Sequence, residues 1–558
     1  METESISQLI LAKAQQFGPK LALCLHGSES GESLTYRQLD RESGRLAAEF
    51  MDLGLQPNDR VVILCESRPR WGIAFFATVR AGGVVVPVDI RMPANELLQV
   101  LNEAAPGIVV VSRAQEAAIA PFLQLRGSAV TAMSIEPASC RRPFPSIDVL
   151  HQTNIHPCVA RNDSDAAVIT FTSGTTGSAK GVVTTFGNLL HQIRSFRSVM
   201  KNDSHCSAVS ILPLSHLFEL TAGFLGLLYG GGQICYVNTL MPDDIIAAMQ
   251  EQEITCMATV PLFLKLLANG IRKEVAKLPP LRRRLFMLAQ RVSPLLPRKI
   301  RRRVFSKIHQ RFGGKLEYFV SGGAPLDECT MRFFDSIGLP VYQGYGLAEA
   351  SPVITTNGPL ANRPGSVGKA LPGVELRIDQ NNGGEVLTRG PHIMRGYFGD
   401  LALTQKIVDR DGWLHTGDIG YIDDDGFLFV SGRQKNIIVL GSGKKVQPEE
   451  IEDVLFEHPY IQEGCIIGTI ARNGLLAGSE EVCAIAVASE VAIRECTSSS
   501  ADLLNELRSV IQQRAEQLAP CKRPTRIVLR TEPLPRTSSR KVRRHSLREW
   551  LAQEVMSS

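Results

Sequence analysis

The strongest constraint on the fold is a set of short runs without a polar residue. Val61-Val62-Ile63-Leu64 and Val84-Val85-Val86-Pro87-Val88 are continuous and mostly β-branched. A strand with one wet face alternates apolar and polar residues, so an unbroken apolar strand must be covered on both faces. Residues 71–80 between them carry the spacing of an amphipathic helix, closed by Ala81-Gly82-Gly83. Another helix is predicted behind Leu34-Thr35-Tyr36, with Leu39, Leu46, Ala47 and Phe50 at helical spacing. Strands of this kind alternating with helices predict an α/β fold of mostly parallel sheets covered by helices. No side chain in this opening third suggests chemistry. With 558 residues the chain is too long for one core and is expected to hold two or more domains.

The next stretch, 168–183, reads VITFTSGTTGSAKGVV. Val168 to Thr172 is strand-like. Ser173, Gly174, Thr175, Thr176 and Gly177 then follow, with Lys180-Gly181 at the end. Glycines expose backbone N–H groups, hydroxyls add donors and one lysine adds a compact positive charge, a combination suited to a phosphate chain. The GxxxxGK[ST] spacing is absent, so this is not a Walker loop. Read in isolation, the run is more readily a flexible surface loop.

Composition excludes several classes. The 61 basic and 56 acidic residues leave a net charge of +5, too small to indicate nucleic acid. METESISQLI has no basic n-region, so no signal peptide is expected. The most apolar long stretch, 217–237, contains Glu219 and several glycines and reads as a buried helix leading into a strand, not a membrane span. The twelve cysteines form no CxxC pair, as expected of reduced thiols in a cytoplasmic protein.

Residues 272–315 differ from the rest. Fifteen lysines and arginines stand against Glu274 alone, with leucines and isoleucines threaded among them. One reading is a solvated helical hairpin whose apolar face lies on the protein. The other is a peripheral foot on an anionic membrane.

The T-S-G-T-T-G-x-x-K-G order of 172–181 resembles the phosphate loop of the adenylate-forming, AMP-binding superfamily, in particular the fatty acyl-CoA synthetases. Further segments are similar to that family in the same order, from about Ser33 to Arg544. L-P-L-S-H-L-F-E at 212–219 looks like the long-chain acyl-CoA synthetases and puts His216 beside the substrate carboxylate. Gly322, Gly323, Ala324 and Pro325 then correspond to the adenine pocket. In Gln343-Gly344-Tyr345-Gly346 the tyrosine can stack on adenine, and Glu349 can hold Mg²⁺. Asp418, in T-G-D, and Arg433 correspond to ribose contacts. Lys435 falls at the family's hinge, 441–446 at the loop approaching the thiol acceptor, and Lys541 at the lysine that reaches the α-phosphate.

The resemblance implies a large N-terminal domain, 1–432, a hinge at 433–436 and a small mobile α+β C-terminal domain, 437–558. It implies ATP and Mg²⁺ as cofactors, a fatty acid substrate of medium or long chain, and transfer from an acyl-adenylate to CoA. An acyl carrier protein as acceptor and a nucleotide-binding pseudo-enzyme are the alternatives. Two positions depart from the pattern. Ala348 replaces the Thr or Ser that precedes the glutamate, a lost hydroxyl worth about 1–3 kcal/mol. Arg540 replaces the glycine before Lys541.

Overall fold

The computed structural model describes residues 5–27, 32–137, 144–147, 158–173, 179–200, 203–442, 444–471, 479–495, 500–530, 532–536 and 542–554. The chain forms two compact units. The first comprises 1–376, 388–414 and 426–428; the second comprises 377–387, 415–425 and 429–558.

Two sheets organise the first unit. The seven-stranded sheet runs in the order 396–397, 179–185, 166–173, 84–87, 60–64, 108–111, 131–134. Its strands from Ala166–Ser173 to Thr131–Ser134 are parallel, and Ala179–Thr185 and Gly396–Tyr397 add antiparallel at one edge. The nine-stranded sheet has a parallel centre, with 341–345, 318–321, 256–259, 207–210, 233–237 and 21–26 in that order. Short antiparallel strands close both of its edges. The parallel sheets predicted from the apolar runs are therefore present.

Both faces of both sheets are buried. Val61, Ile63 and Val85 share one core with Leu23, Ala208 and Ile234 of the other sheet and with helices Tyr36–Asp52, Pro69–Arg80 and Phe186–Met200. The alternate residues Val62, Leu64 and Val86 pack with helix Ala94–Ala104 on the far side. Val209, Cys235 and Phe319 do the same with helices Pro242–Glu251 and Glu328–Ser336. A shared layer of helices thus lies between the two sheets.

That layer corrects one expectation. Helix Pro69–Arg80 is buried along its length instead of amphipathic. Arg80 is accommodated because its guanidinium donates to the Asp40 carboxylate at 2.7 Å and to the Asp40 carbonyl at 2.8 Å, and a buried charge needs such partners. Trp71, Phe75 and Phe76 pack around Phe224 with ring centroids 5.6 to 5.8 Å away. Phe224 lies in Glu219–Leu225, a π-helical turn within the apolar stretch noted above, which continues as helix Gly226–Gly230 and strand Gln233–Val237.

The second unit contains a three-stranded sheet, Ile461–Ile470, Glu480–Ala488 and Arg526–Arg530. Helices Pro448–Leu455 and Ser500–Ala515 flank it. Glu452 accepts two bonds from Arg544 at 2.7 and 2.8 Å and one from the Ile466 N–H at 2.7 Å, which ties the last helix to this sheet. Among the described residues no helix is long and apolar enough to cross a membrane.

Phe224 is fully buried in the layer that serves both sheets. Phe224→Ala is expected to destabilise the protein by about 3–5 kcal/mol, read from denaturant unfolding midpoints.

Candidate active site

In the first unit the carboxyl ends of both sheets carry the sequence-predicted residues, where ligands of open parallel sheets bind. Strands Ala166–Ser173 and Ala179–Thr185 pair antiparallel with Thr172 opposite Lys180, and the Thr172 hydroxyl donates to the Lys180 carbonyl at 3.4 Å. These strands form the stem of the segment expected to bind phosphate. The Ser173 side chain, Gly174, Thr175, Thr176, Gly177 and Lys541 lie outside the described residues.

Lys180 and Glu349 are brought together by a residue the sequence reading missed, Tyr397. The Lys180 ammonium sits 5.6 Å from the centroid of the Tyr397 ring, and the tyrosine hydroxyl donates to Glu349 Oε1 at 2.7 Å. Burial and then the Glu349 charge push the Tyr397 hydroxyl far above its ordinary pKa, so it stays a donor. Strand Gly396–Tyr397 is fastened to the loop's stem by bonds from Arg395 N–H to the Val183 carbonyl at 3.0 Å and from Phe398 N–H to the Gly181 carbonyl at 2.7 Å. Its only signal in the sequence was a Gly-Tyr pair, which carries no chemistry until the sheet brings it beside Glu349.

Helix Phe186–Met200 follows the stem directly and fixes both partners. Gln192 donates to the carbonyls of Ala350 and Val353 at 3.3 and 2.8 Å and accepts from Val353 N–H at 3.3 Å. Asn188 donates to the carbonyls of Pro391 and Ile393 at 2.7 and 2.9 Å. Glu349 thus stands on a rigid turn, with Oε2 making no hydrogen bond among the described residues. A half-buried carboxylate with one oxygen held and one available fits a hard divalent cation, which takes oxygen ligands.

The predicted adenine-side residues lie at neighbouring strand ends. Gly322 is buried against Phe218, whose ring a Cβ there would meet at 3.2 Å. Gly323 has φ +83°, and Gly323, Ala324 and Pro325 are exposed. Gln343 is buried, and its Oε1 has no hydrogen bond among the described residues. Gly344 and Tyr345 are half-buried. A Cβ on Gly346 would lie 1.9 Å from the Pro352 carbonyl oxygen, so only glycine fits there.

His216 is half-buried with Nε2 3.6 Å from Asp89 Oδ2, joining loops from the two sheets. Asp89 is a residue of the opening third that the sequence reading did not single out. It follows the strand Val84–Pro87, and its signal was a carboxylate at the carboxyl end of a parallel strand. Burial works to raise its pKa, but bonds from the Arg91 side chain at 2.8 and 3.0 Å and from its N–H at 2.9 Å hold the carboxyl below the usual range.

Glu219, three residues after His216, behaves oppositely. It is 1% exposed, accepts from the Ser210 hydroxyl at 2.6 Å through Oε1, and has no hydrogen-bond partner at Oε2 among the described residues. It borders a cavity of about 20 Å³, shared with Gly223, Met257 and Tyr318, large enough for one water. Burial lifts its pKa to about 7.

In the second unit, Asp418 is buried and paired with Arg433 Nε at 2.7 Å. The turn that presents it is built on Glu385, which accepts from Gly417 N–H at 2.9 Å and contacts His415 Nδ1 at 3.0 Å. The Thr416 hydroxyl donates to the Val386 carbonyl at 2.7 Å and accepts from Asp418 N–H at 3.1 Å. Lys435 is exposed in the 3-10 turn Gln434–Asn436.

The chain belongs to the AMP-binding enzyme family: residues 11–398 match that family and residues 435–557 match its C-terminal domain. It is therefore an enzyme of this class, with the fold expected from the motifs. It is 30% identical over 453 residues to the long-chain-fatty-acid–CoA ligase FadD15 of Mycobacterium bovis, covering 76% of this chain and 73% of that protein. It is 26% identical over 540 residues to the medium-chain fatty-acid–CoA ligase of Escherichia coli, covering 93% and 86%. Among solved structures it resembles ATP-bound MatB from Rhodopseudomonas palustris, with TM-score 0.76, 26% identity and 98% of each chain covered.

A carboxyl raised by burial binds its proton more tightly folded than unfolded. Stability is therefore lost as pH rises from the ordinary value of 4.5 to about 7, and levels off above. Glu219→Gln keeps the Ser210 bond without the charge. It is expected to be more stable than the parent above pH 7, by up to about 3 kcal/mol, with the difference vanishing near pH 4.5. Unfolding midpoints of both proteins across that range check this.

Proposed function

We propose that this protein joins a medium- or long-chain fatty acid to CoA at the expense of ATP, through an acyl-adenylate. The observation that carries the reading is the Lys180–Tyr397–Glu349 arrangement beside the stem of the phosphate-loop segment, in a chain that belongs to the AMP-binding enzymes. In the first half-reaction a carboxylate oxygen attacks the α-phosphorus of ATP and the bond to pyrophosphate breaks. Both reactants are anions, so positioning and charge neutralisation supply most of the catalysis.

Lys180 supplies a positive charge at the end of the stem, and the loop 172–177 supplies N–H and hydroxyl donors. Glu349 is the residue that would hold Mg²⁺, which when bound neutralises phosphate charge. Tyr397 keeps Glu349 oriented and screens it from rotation. His216, set by Asp89, stands at the carboxylate side, and Asp418 with Arg433 takes the ribose. Lys541 serves the α-phosphate. In the second half-reaction a thiolate sulfur attacks the acyl carbon and AMP leaves. We assign 433–436 as the hinge between 1–432 and 437–558, with 441–446 presenting the acceptor. The kinship with fatty-acid–CoA ligases and the L-P-L-S-H-L-F-E segment support the fatty acid as substrate.

Mass detection of products from purified protein, Mg-ATP and a panel of carboxylic acids tests this. Acyl-CoA over a band of chain lengths is expected. Acyl-adenylate left unconsumed by CoA would assign the acceptor to a carrier protein, and no product at all would overturn the reading. Tyr397→Phe, which keeps the ring and removes the bond to Glu349, is expected to slow adenylate formation by about 10- to 100-fold, measured as pyrophosphate release.

A further inference from the structure

The basic region of 272–315 has a surface that the two-sided reading of its sequence left open. Helix Pro280–Val292 places Leu281, Leu285, Leu288 and Val292 at i, i+4, i+7 and i+11, a single stripe. That stripe is not packed on the protein. Leu281, Leu285 and Leu288 are 71%, 57% and 59% exposed, and Leu295 just beyond is 84% exposed. The contact with the core is made by Phe286 and Ala289 on another side of the helix, Phe286 lying edge-on to Phe305 at 5.3 Å. The apolar residues of this region therefore divide: Phe286, Phe305 and Ile308 rest on the protein, as a helical hairpin would have them, and the leucine stripe does not.

The charges divide in the same manner. Arg301 is used internally, paired with Asp335 at 2.7 Å, and Arg302 donates to the carbonyls of Leu316 and Gly314 at 2.5 and 3.1 Å. Arg282, Arg283, Arg284, Arg291, Lys299 and Arg303 are exposed and make no ion pair or hydrogen bond among the described residues. Free guanidinium groups flank a free leucine stripe on a helix of 13 residues, about 20 Å long.

We propose that this face docks on an anionic lipid bilayer, the helix lying in the interface plane with its leucines among the acyl chains and its arginines at the headgroups. Charge complementarity selects this occupant. A second copy of the chain would bring like charges together, since the face has no acidic counterpart of its own. A nucleic acid would engage the arginines but leave the leucines in water. An anionic surface with an apolar interior satisfies both halves. The proposal concerns where the enzyme works and stands independently of which acid it activates.

Flotation of the full-length protein with phosphatidylcholine vesicles, with and without a third of the lipid replaced by phosphatidylserine, tests it. Binding to the anionic vesicles, weakened by salt and absent from the neutral ones, is expected. Replacing Arg283, Arg284 and Arg291 together by glutamine should lower the partition coefficient on the order of a hundredfold. The triple change Leu281→Gln, Leu285→Gln and Leu288→Gln should lower it at least as far while leaving the thermal unfolding midpoint unchanged, because these side chains are exposed. No flotation with anionic vesicles at low salt overturns the proposal. So does equal flotation with neutral vesicles, or a leucine variant that floats as the parent does. Failure to float combined with a dimer that the leucine variant abolishes would reassign the face to a second copy.

Discussion

The first unit depends on one packing constraint. Two sheets of buried strands each need cover on both faces, and one layer of helices supplies the inner cover for both. Helix Pro69–Arg80 is buried on every side because it meets protein all round, with Arg80 paired internally, and Phe224 can gather three aromatic rings because it lies in that layer. Parallel strands also end on a common side. When two parallel sheets share a layer, loops from different sheets can meet at those ends, as His216 does with Asp89 and Glu349 with Tyr397.

The charged groups at those ends are settled by their immediate partners. Asp89 and Glu219 are both buried carboxyl groups near His216 in the fold or the chain, yet they are driven in opposite directions. Asp89 has a guanidinium and an N–H to hold its charge. Glu219 has a single hydroxyl and an apolar surround, so the proton is the cheaper partner until about pH 7. Glu349 is handled differently again. A neutral donor, Tyr397, orients it and leaves its charge in place, which suits a group expected to meet a cation.

Much of this was legible in the chain itself. The unbroken apolar runs dictated covered parallel strands, because a strand without alternation has no face to give to water. The order of the motifs identified the enzyme family, because small, hydroxylated and glycine residues at those spacings answer to backbone requirements that few sequences meet. Gly346 is an example, its α-hydrogen pointing into the Pro352 carbonyl.

What the sequence could not decide was which faces and which distant side chains meet. Tyr397 lies 48 residues from Glu349 and acquires its role only through the sheet edge it occupies. Glu385 becomes the scaffold for Asp418 only when their strands pair. The leucine stripe of 281–292 has the same periodicity whether it faces a core or solvent. Periodicity records that a helix has an apolar side; the packing of Phe286 and Ala289 against the core determined that the leucines face outward.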